Sequence, residues 1–157
     1  MPALNKKRNI REYISGYVDG EGSFCVSFSK RKKFIVGWET KPSLSISQKE
    51  ERAHVLFIIQ KVFGCGFLRK DSSDGTLKYE IRSLDDLIKI VIPHFEKYPL
   101  LSPKQDDFLS FKRVCYLMKD KKHRTASGLK KIVRIACVMN PSGKRKYRRD
   151  DILRTLR

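Results

Sequence analysis

The 157-residue chain is poor in the residues from which many catalytic and structural centres are built: three histidines, four cysteines, one tryptophan and only 17 acidic side chains. Cys25, Cys65, Cys115 and Cys137 lie far apart, with no CxxC pair and no companion histidine cluster. That spacing argues against a zinc site, and the apolar or small neighbours of each thiol fit buried, reduced cysteines in an intracellular compartment. His54, His94 and His123 are scattered, no two on one helical face, and read as packing or surface residues. A long apolar run, a secretory signal and an amphipathic helix with a cleanly basic face are all missing, which argues against a membrane partner. The basic stretch Met1 to Arg11 is too short for a transit peptide. The scarcest commodity is negative charge: 35 Lys and Arg leave a formal charge of +18 and a pI near 10.0. A chain this basic repels itself unless a polyanion neutralises it, and nucleic acid is the leading partner.

What is present is a helix that stops on carboxylates. In Tyr13-Ile14-Ser15-Gly16-Tyr17-Val18-Asp19-Gly20-Glu21-Gly22-Ser23-Phe24, the residues Ile10, Tyr13, Ile14, Tyr17 and Val18 form one apolar stripe at helical spacing. Ser15, Gly16, Asp19 and Gly20 form a second face of small side chains, where another backbone could approach closely. Gly20 and Gly22 are expected to end the helix in a conformation with positive φ. A helix C-terminus attracts cations, yet this one carries Asp19 and Glu21. A divalent ion would resolve the conflict. Spacing alone leaves open a plainer arrangement, with Asp19 in the turn and Glu21 in water.

Residues 13 to 24 resemble the signature of the LAGLIDADG homing endonucleases: aromatic, aliphatic, small, Gly, aromatic, aliphatic, Asp, Gly, Glu, Gly, Ser, Phe in unbroken order. Ser15 stands where the family commonly has alanine. In that family the helix forms the core of a two-fold interface, and its last acidic residue, here Glu21, holds the catalytic metal.

The rest of the chain alternates in a way that fits this family. Ser23 to Ser29 reads as a strand, with Phe24, Val26 and Phe28 on one side. Lys30 to Lys33 is a charged tip, and Phe34 to Gln48 returns as a second strand in which Pro42 predicts an edge position or a bulge. Glu50 to Phe63 reads as a helix with a stripe of Val55, Ile58, Ile59, Val62 and Phe63, closed by Gly64. Gly66 to Asp71 and Thr76 to Arg82 form a strand pair around Ser72 to Gly75, and Leu84 to Phe95 is again helical. The pattern is α+β, with an αββαββα core, an antiparallel sheet and C-terminal helices. One sheet face packs on helices; the other is polar and basic, a plausible DNA-reading ribbon. One domain is expected over 1–157, with its core at about 9–120 and a basic helical extension at about 121–157.

A second informative stretch is Lys97-Tyr98-Pro99-Leu100-Leu101-Ser102-Pro103-Lys104-Gln105-Asp106-Asp107-Phe108. It reads as a loop entering a helix, with Ser102 as N-cap and Pro103 at the first position. By the resemblance Lys104 is the catalytic lysine near the scissile phosphate; other members place a lysine two residues earlier, where Ser102 stands. Gln48 carries, by the same resemblance, the role of positioning the attacking water. Lys49 and Arg52 are nearby cations that could neutralise phosphates. From Lys121 onward thirteen Lys or Arg face two Asp, and Lys144, Arg145, Lys146 and Arg148 fall in a run fitted to phosphate contacts.

The chain holds one copy of the motif, so the resemblance implies a homodimer with a small-residue interface of Ser15, Gly16, Asp19 and Gly20. It implies Mg²⁺, with Mn²⁺ or Ca²⁺ as alternatives, bound by Glu21 and the Gly20 carbonyl, with Asp19 supporting the turn. It further implies hydrolysis of both strands of a long, roughly palindromic DNA site, leaving 3′ overhangs, by an intron-encoded protein of an organelle or microbial cytoplasm. The sheet residues expected to contact DNA are Ser27, Ser29, Lys30, Arg31, Lys33, Glu39, Lys41, Ser43, Ser45, Arg69, Lys78, Glu80 and Arg82. An intron maturase of the same fold, with structured intron RNA as partner and no cleavage, is the alternative reading.

Overall fold

A computed structural model describes residues 9–156. Helix α1 (Ile10–Glu21) begins at Asn9, whose side chain accepts a hydrogen bond from the Arg11 amide at 3.1 Å. It runs directly into strand β1 (Gly22–Lys30), which pairs antiparallel with β2 (Trp38–Lys49). A 3₁₀ turn at Glu50–Arg52 leads into α2 (His54–Phe63), which Gly64 closes with φ of 69° in the left-handed region. Strands β3 (Phe67–Asp71) and β4 (Thr76–Ile81) complete a four-stranded antiparallel sheet in the order β1-β2-β4-β3.

The helix junction at Gly22 differs from the expected one. Neither Gly20 nor Gly22 has positive φ; Gly22 is extended at φ −91°. It is glycine for lack of room: a Cβ there would stand 2.7 Å from Val18 Cγ1 and 2.9 Å from the Val18 carbonyl oxygen. Pro42 also departs from expectation, since the β1–β2 register runs unbroken through Val26↔Pro42 and has no bulge. β2 is an inner strand, but its pairing with β4 starts only at Leu44. Pro42 therefore lies beyond the end of that ladder, where its missing N–H breaks no bond.

After β4 come α3 (Leu84–Asp86), a π turn at Leu87–Val91 and α4 (Ile92–Lys97). The widened turn sits just before Pro93, which has no N–H and whose ring crowds the carbonyl four residues back. Helix α5 (Lys104–Lys119) crosses the core face of the sheet, followed by α6 (Ala126–Ala136) and the short α7 (Arg149–Arg154). Phe24 of β1 is fully buried, its ring 5.3 Å from Phe95, 5.4 Å from Phe108 and 5.3 Å from Phe111. In α2 the buried residues are Leu56, Ile59 and Phe63, while Ile58 is exposed, so the helix is rotated from its expected face.

The basic extension contributes to the same core through Leu129, Ile132, Val133, Ala136, Met139 and Ile152. Trp38 anchors its end: the indole N–H donates to Thr155 Oγ1 at 3.1 Å, and Tyr147 meets the ring edge-on at 4.9 Å. The segment between α6 and α7 also lies along the free edge of β1. Asn140 Nδ2 donates to the Phe24 carbonyl at 2.7 Å, and Arg145 donates to the Val26 carbonyl at 2.8 Å and to the Ala136 carbonyl. Among the described residues, no helix is long and apolar enough to cross a membrane.

Candidate active site and nucleic-acid interface

The carboxylates at the end of α1 have different fates. Asp19 turns toward the loop before α5, where Oδ2 accepts from the Leu101 and Ser102 amides, each at 3.0 Å, and Oδ1 accepts from the Ser102 hydroxyl. Burial alone would raise its pKa, but these hydrogen bonds, with Lys104 nearby, hold the carboxyl below its ordinary value. Ser102 Oγ also accepts from the Lys104 amide at 3.1 Å and so links the first turn of α5 to Asp19, although the N-cap position is Pro103, one residue later than expected.

Lys104 returns the favour at the other helix end. Its ammonium donates to the Val18 carbonyl at 3.0 Å and the Asp19 carbonyl at 2.8 Å. The cation missing from the last turn of α1 is thus supplied from 85 residues away. Two helix termini are joined reciprocally, an acid of α1 at the start of α5 and a base of α5 at the end of α1. This pairing was invisible in sequence because it depends on a contact between distant segments.

Glu21 is left exposed, without an ion pair or side-chain hydrogen bond among the described residues. The same residues contain no cluster of three or more His, Cys, Asp or Glu able to hold a metal. The end of α1 therefore presents an open carboxylate, Glu21, adjacent to the Gly20 carbonyl, and oxygen donors of that type suit a hard divalent cation. Gln48 lies across the start of β1, two residues beyond the Gly22↔Ile46 pair. Its Nε2 donates to the Tyr17 hydroxyl at 3.0 Å and its Oε1 accepts from the Lys49 amide at 2.9 Å, so α1 holds the amide in place.

The expected small-residue face separates into two parts. Gly16 and Gly20 open onto free space, with nothing within 4 Å of where a Cβ would be. Ser15 instead is buried in its own chain, donating to the Tyr98 carbonyl at 2.6 Å and lying 3.2 Å from His94 Nε2. His94 is a packing residue, as its isolation in sequence implied, with burial pushing its pKa down to about 4. Beside the open glycines stand exposed apolar groups: Ile10, Tyr13 and, at 95% exposure, Leu101.

The pairing registers place Ser27, Ser29, Glu39, Lys41, Ser43, Ser45, Arg69, Lys78 and Glu80 on the sheet face away from the helices. Glu39 is held by Arg31 at 2.7 Å and by Lys41 at 3.5 Å; the Arg31 hydrogen bond is the main reason its pKa is lowered. Four expected contacts are placed differently. Lys30 falls on the Trp38 side, its ammonium 5.5 Å from the Tyr147 ring centroid, and Arg145 spends its guanidinium on backbone carbonyls. Ser45 and Glu80 are on the polar face but buried, at 8% and 4% exposure. Lys33, Lys144, Lys146 and Arg148 are exposed. Alternation gives the face of a residue, but the cover from a neighbouring strand or tail is a tertiary property.

A sequence profile described as LAGLIDADG endonuclease matches residues 14–115. A probable intron-encoded endonuclease 2 of Neurospora crassa is 34% identical over 129 residues, which is 82% of this chain but only 28% of that relative's length. Among solved structures, the homing endonuclease I-TnaI superposes with a TM-score of 0.81 at 35% identity, covering 92% of this chain and 94% of its own. I-SmaMI bound to an uncleaved DNA target in the presence of calcium ions gives 0.82 at 34% identity, covering 87% of this chain and 46% of its own. The signature helix, the strand order and these matches agree, and the chain belongs to the LAGLIDADG endonuclease family.

Proposed function

We propose that the protein is a site-specific homing endonuclease that hydrolyses phosphodiester bonds on both strands of a long, roughly palindromic DNA site. The observation that carries this reading is the division of labour at the end of α1: Asp19 is fully engaged within the fold, while Glu21 is left open beside Gly20. Glu21 and the Gly20 carbonyl would hold a divalent ion, with Mg²⁺ as the physiological choice. When bound, such an ion supplies Lewis-acid stabilisation to the attacking and leaving oxygens.

The chain's own groups have defined tasks around that point. Gln48, its amide fixed by the Tyr17 hydroxyl and the Lys49 amide, orients the attacking water. Lys104 keeps a positive charge at the turn carrying Glu21 and stabilises negative charge that develops on the phosphate. The polar sheet face, with Arg69, Lys78 and Arg82, binds the duplex, and the exposed Lys144, Lys146 and Arg148 add phosphate contacts outside it.

One open carboxylate is half of a two-strand cutting site, so two copies join through α1. Gly16 and Gly20 admit close helix approach, with Ile10, Tyr13 and Leu101 as apolar surround. Each subunit cuts one strand, producing the staggered 3′ ends. The test is cleavage of a randomised plasmid library with Mg²⁺ by the parent and by Glu21→Gln, together with sizing of the DNA complex. Cutting by the parent alone is expected, from a complex of two chains. A parent that binds but never cuts, or that binds as a single chain, refutes this function or this assembly respectively.

A further inference from the structure

Glu80 lies at the middle of the polar face, on β4, opposite Ser45 of β2 and Phe67 of β3. Its side chain is only 5% exposed, which removes it as a group that reaches a base. Three cations converge on it instead. Oε1 lies 3.2 Å from Lys78 Nζ and 3.6 Å from an Arg69 guanidinium nitrogen. Oε2 is covered by an Arg82 nitrogen at 2.5 Å, as an ion pair outside hydrogen-bonding geometry. Both arginine side chains remain more than half exposed, and Arg82 also lies against the ring of Phe67, 5.1 Å from its centroid.

A sunken carboxylate surrounded by three longer cationic side chains restrains flexible groups that would otherwise lose much rotamer freedom on binding. Both guanidinium groups are held beside Glu80 by charge, outside hydrogen-bonding geometry, so their N–H donors stay available for a target. The partner matching an outward arginine fork on a strand is guanine, which offers O6 and N7 in the major groove. Phe67, held beside Arg82, adds an apolar surface suited to a neighbouring thymine methyl. The cluster keeps a net positive charge, and its members Lys78, Glu80 and Arg82 line a concavity of about 660 Å³ with Lys41, Ser43 and Ser45, while Arg69 lies outside that lining.

We infer that Glu80 is a specificity-determining positioning residue, which holds Arg69 and Arg82 as preset readers of guanine within the target. The inference rests on the proposal that this sheet face binds DNA. It separates from a simple electrostatic role by sign: removing a negative charge from a DNA-binding face should by itself tighten binding to every sequence.

The experiment is a randomised-duplex binding selection at fixed salt, giving base preference at each position for the parent, Glu80→Gln, Glu80→Asp, Arg69→Ala and Arg82→Ala. Glu80→Asp keeps the charge and serves if Glu80→Gln unfolds. The expected result is a loss of guanine preference of roughly 5- to 150-fold at a small set of positions. The Glu80 variants and the arginine variants should relax the same positions, with preference elsewhere retained and affinity for non-target duplex equal or higher. Unchanged preference in the Glu80 variants, or equal weakening on all sequences, overturns the positioning role. A folded parent that selects no duplex overturns the DNA reading of the face and this inference with it.

Discussion

Replacing Asp19 by asparagine tests the reciprocal joint between α1 and α5. The substitution keeps the shape but removes the charge that accepts from two amides and the Ser102 hydroxyl. A hydrogen bond to a charged group contributes about 1.5–3 kcal/mol. Asp19 is partly exposed, so solvent screening reduces the whole set to about 2 kcal/mol. For a domain of this size that is a fall in Tm of about 4–8 °C at pH 7. The sign of the pH dependence follows from the lowered pKa of Asp19. Its stabilisation is fully present above the unfolded value near 3.9 and is lost as pH falls through the lower folded value. The Tm gap between parent and Asp19→Asn should therefore be constant from neutral pH to about pH 5 and close below about pH 4. In a double-mutant cycle Lys104→Met should couple to Asp19→Asn by about 0.5–3 kcal/mol, because Lys104 holds the carbonyl of the same residue. An equal Tm at pH 7, or a gap that survives undiminished at pH 3, would refute the assignment of this stabilisation to the carboxylate charge.

His94, with a folded pKa of about 4, stays neutral while the unfolded chain takes up a proton, so the parent loses stability as pH falls from about 6.5 to 4. His94→Gln should flatten that limb of an unfolding titration, by on the order of 2–3 kcal/mol across the window. Gly22→Ala should cost about 1–3 kcal/mol in urea unfolding, because its Cβ meets Val18 at 2.7 Å. Phe24→Ala should cost about 3–5 kcal/mol by the same measurement, since the ring sits among three others in the core. Arg145→Met should cost about 1–3 kcal/mol and raise hydrogen exchange through residues 140–147, because it strips a donor from two backbone carbonyls.

Sequence and structure agree best where local pattern and tertiary demand coincide. α1 and the four strands were legible because their apolar residues repeat at 3.6 or 2, and Gly64 and the Ser72 to Gly75 turn punctuate them. The place of Glu21 as the last residue of α1 was legible through a motif whose order is specific. The face of α2 was not, since Val55, Leu56, Phe57, Ile58 and Ile59 form a continuous apolar run in which several stripes can be drawn. The electrostatic conflict at the end of α1 was read correctly from the chain, but its resolution by Lys104 was not. Nor was the fate of Arg145, one basic residue in a run of five, which differs from its neighbours only by lying over the β1 edge.

The joint between Asp19 and the loop before α5 also constrains the order in which the molecule assembles. Its hydrogen bonds close over 82 and 83 residues of chain, a span that contains the whole sheet and α2 to α4. Contacts of such long range carry the loop-closure entropy of everything between them and are slow to form unless the intervening segments have already compacted. The turn that carries Glu21 is thus expected to acquire its final support after the sheet has formed. A nascent chain ending before residue 101 would hold every residue of the signature motif while lacking the partners that fix it.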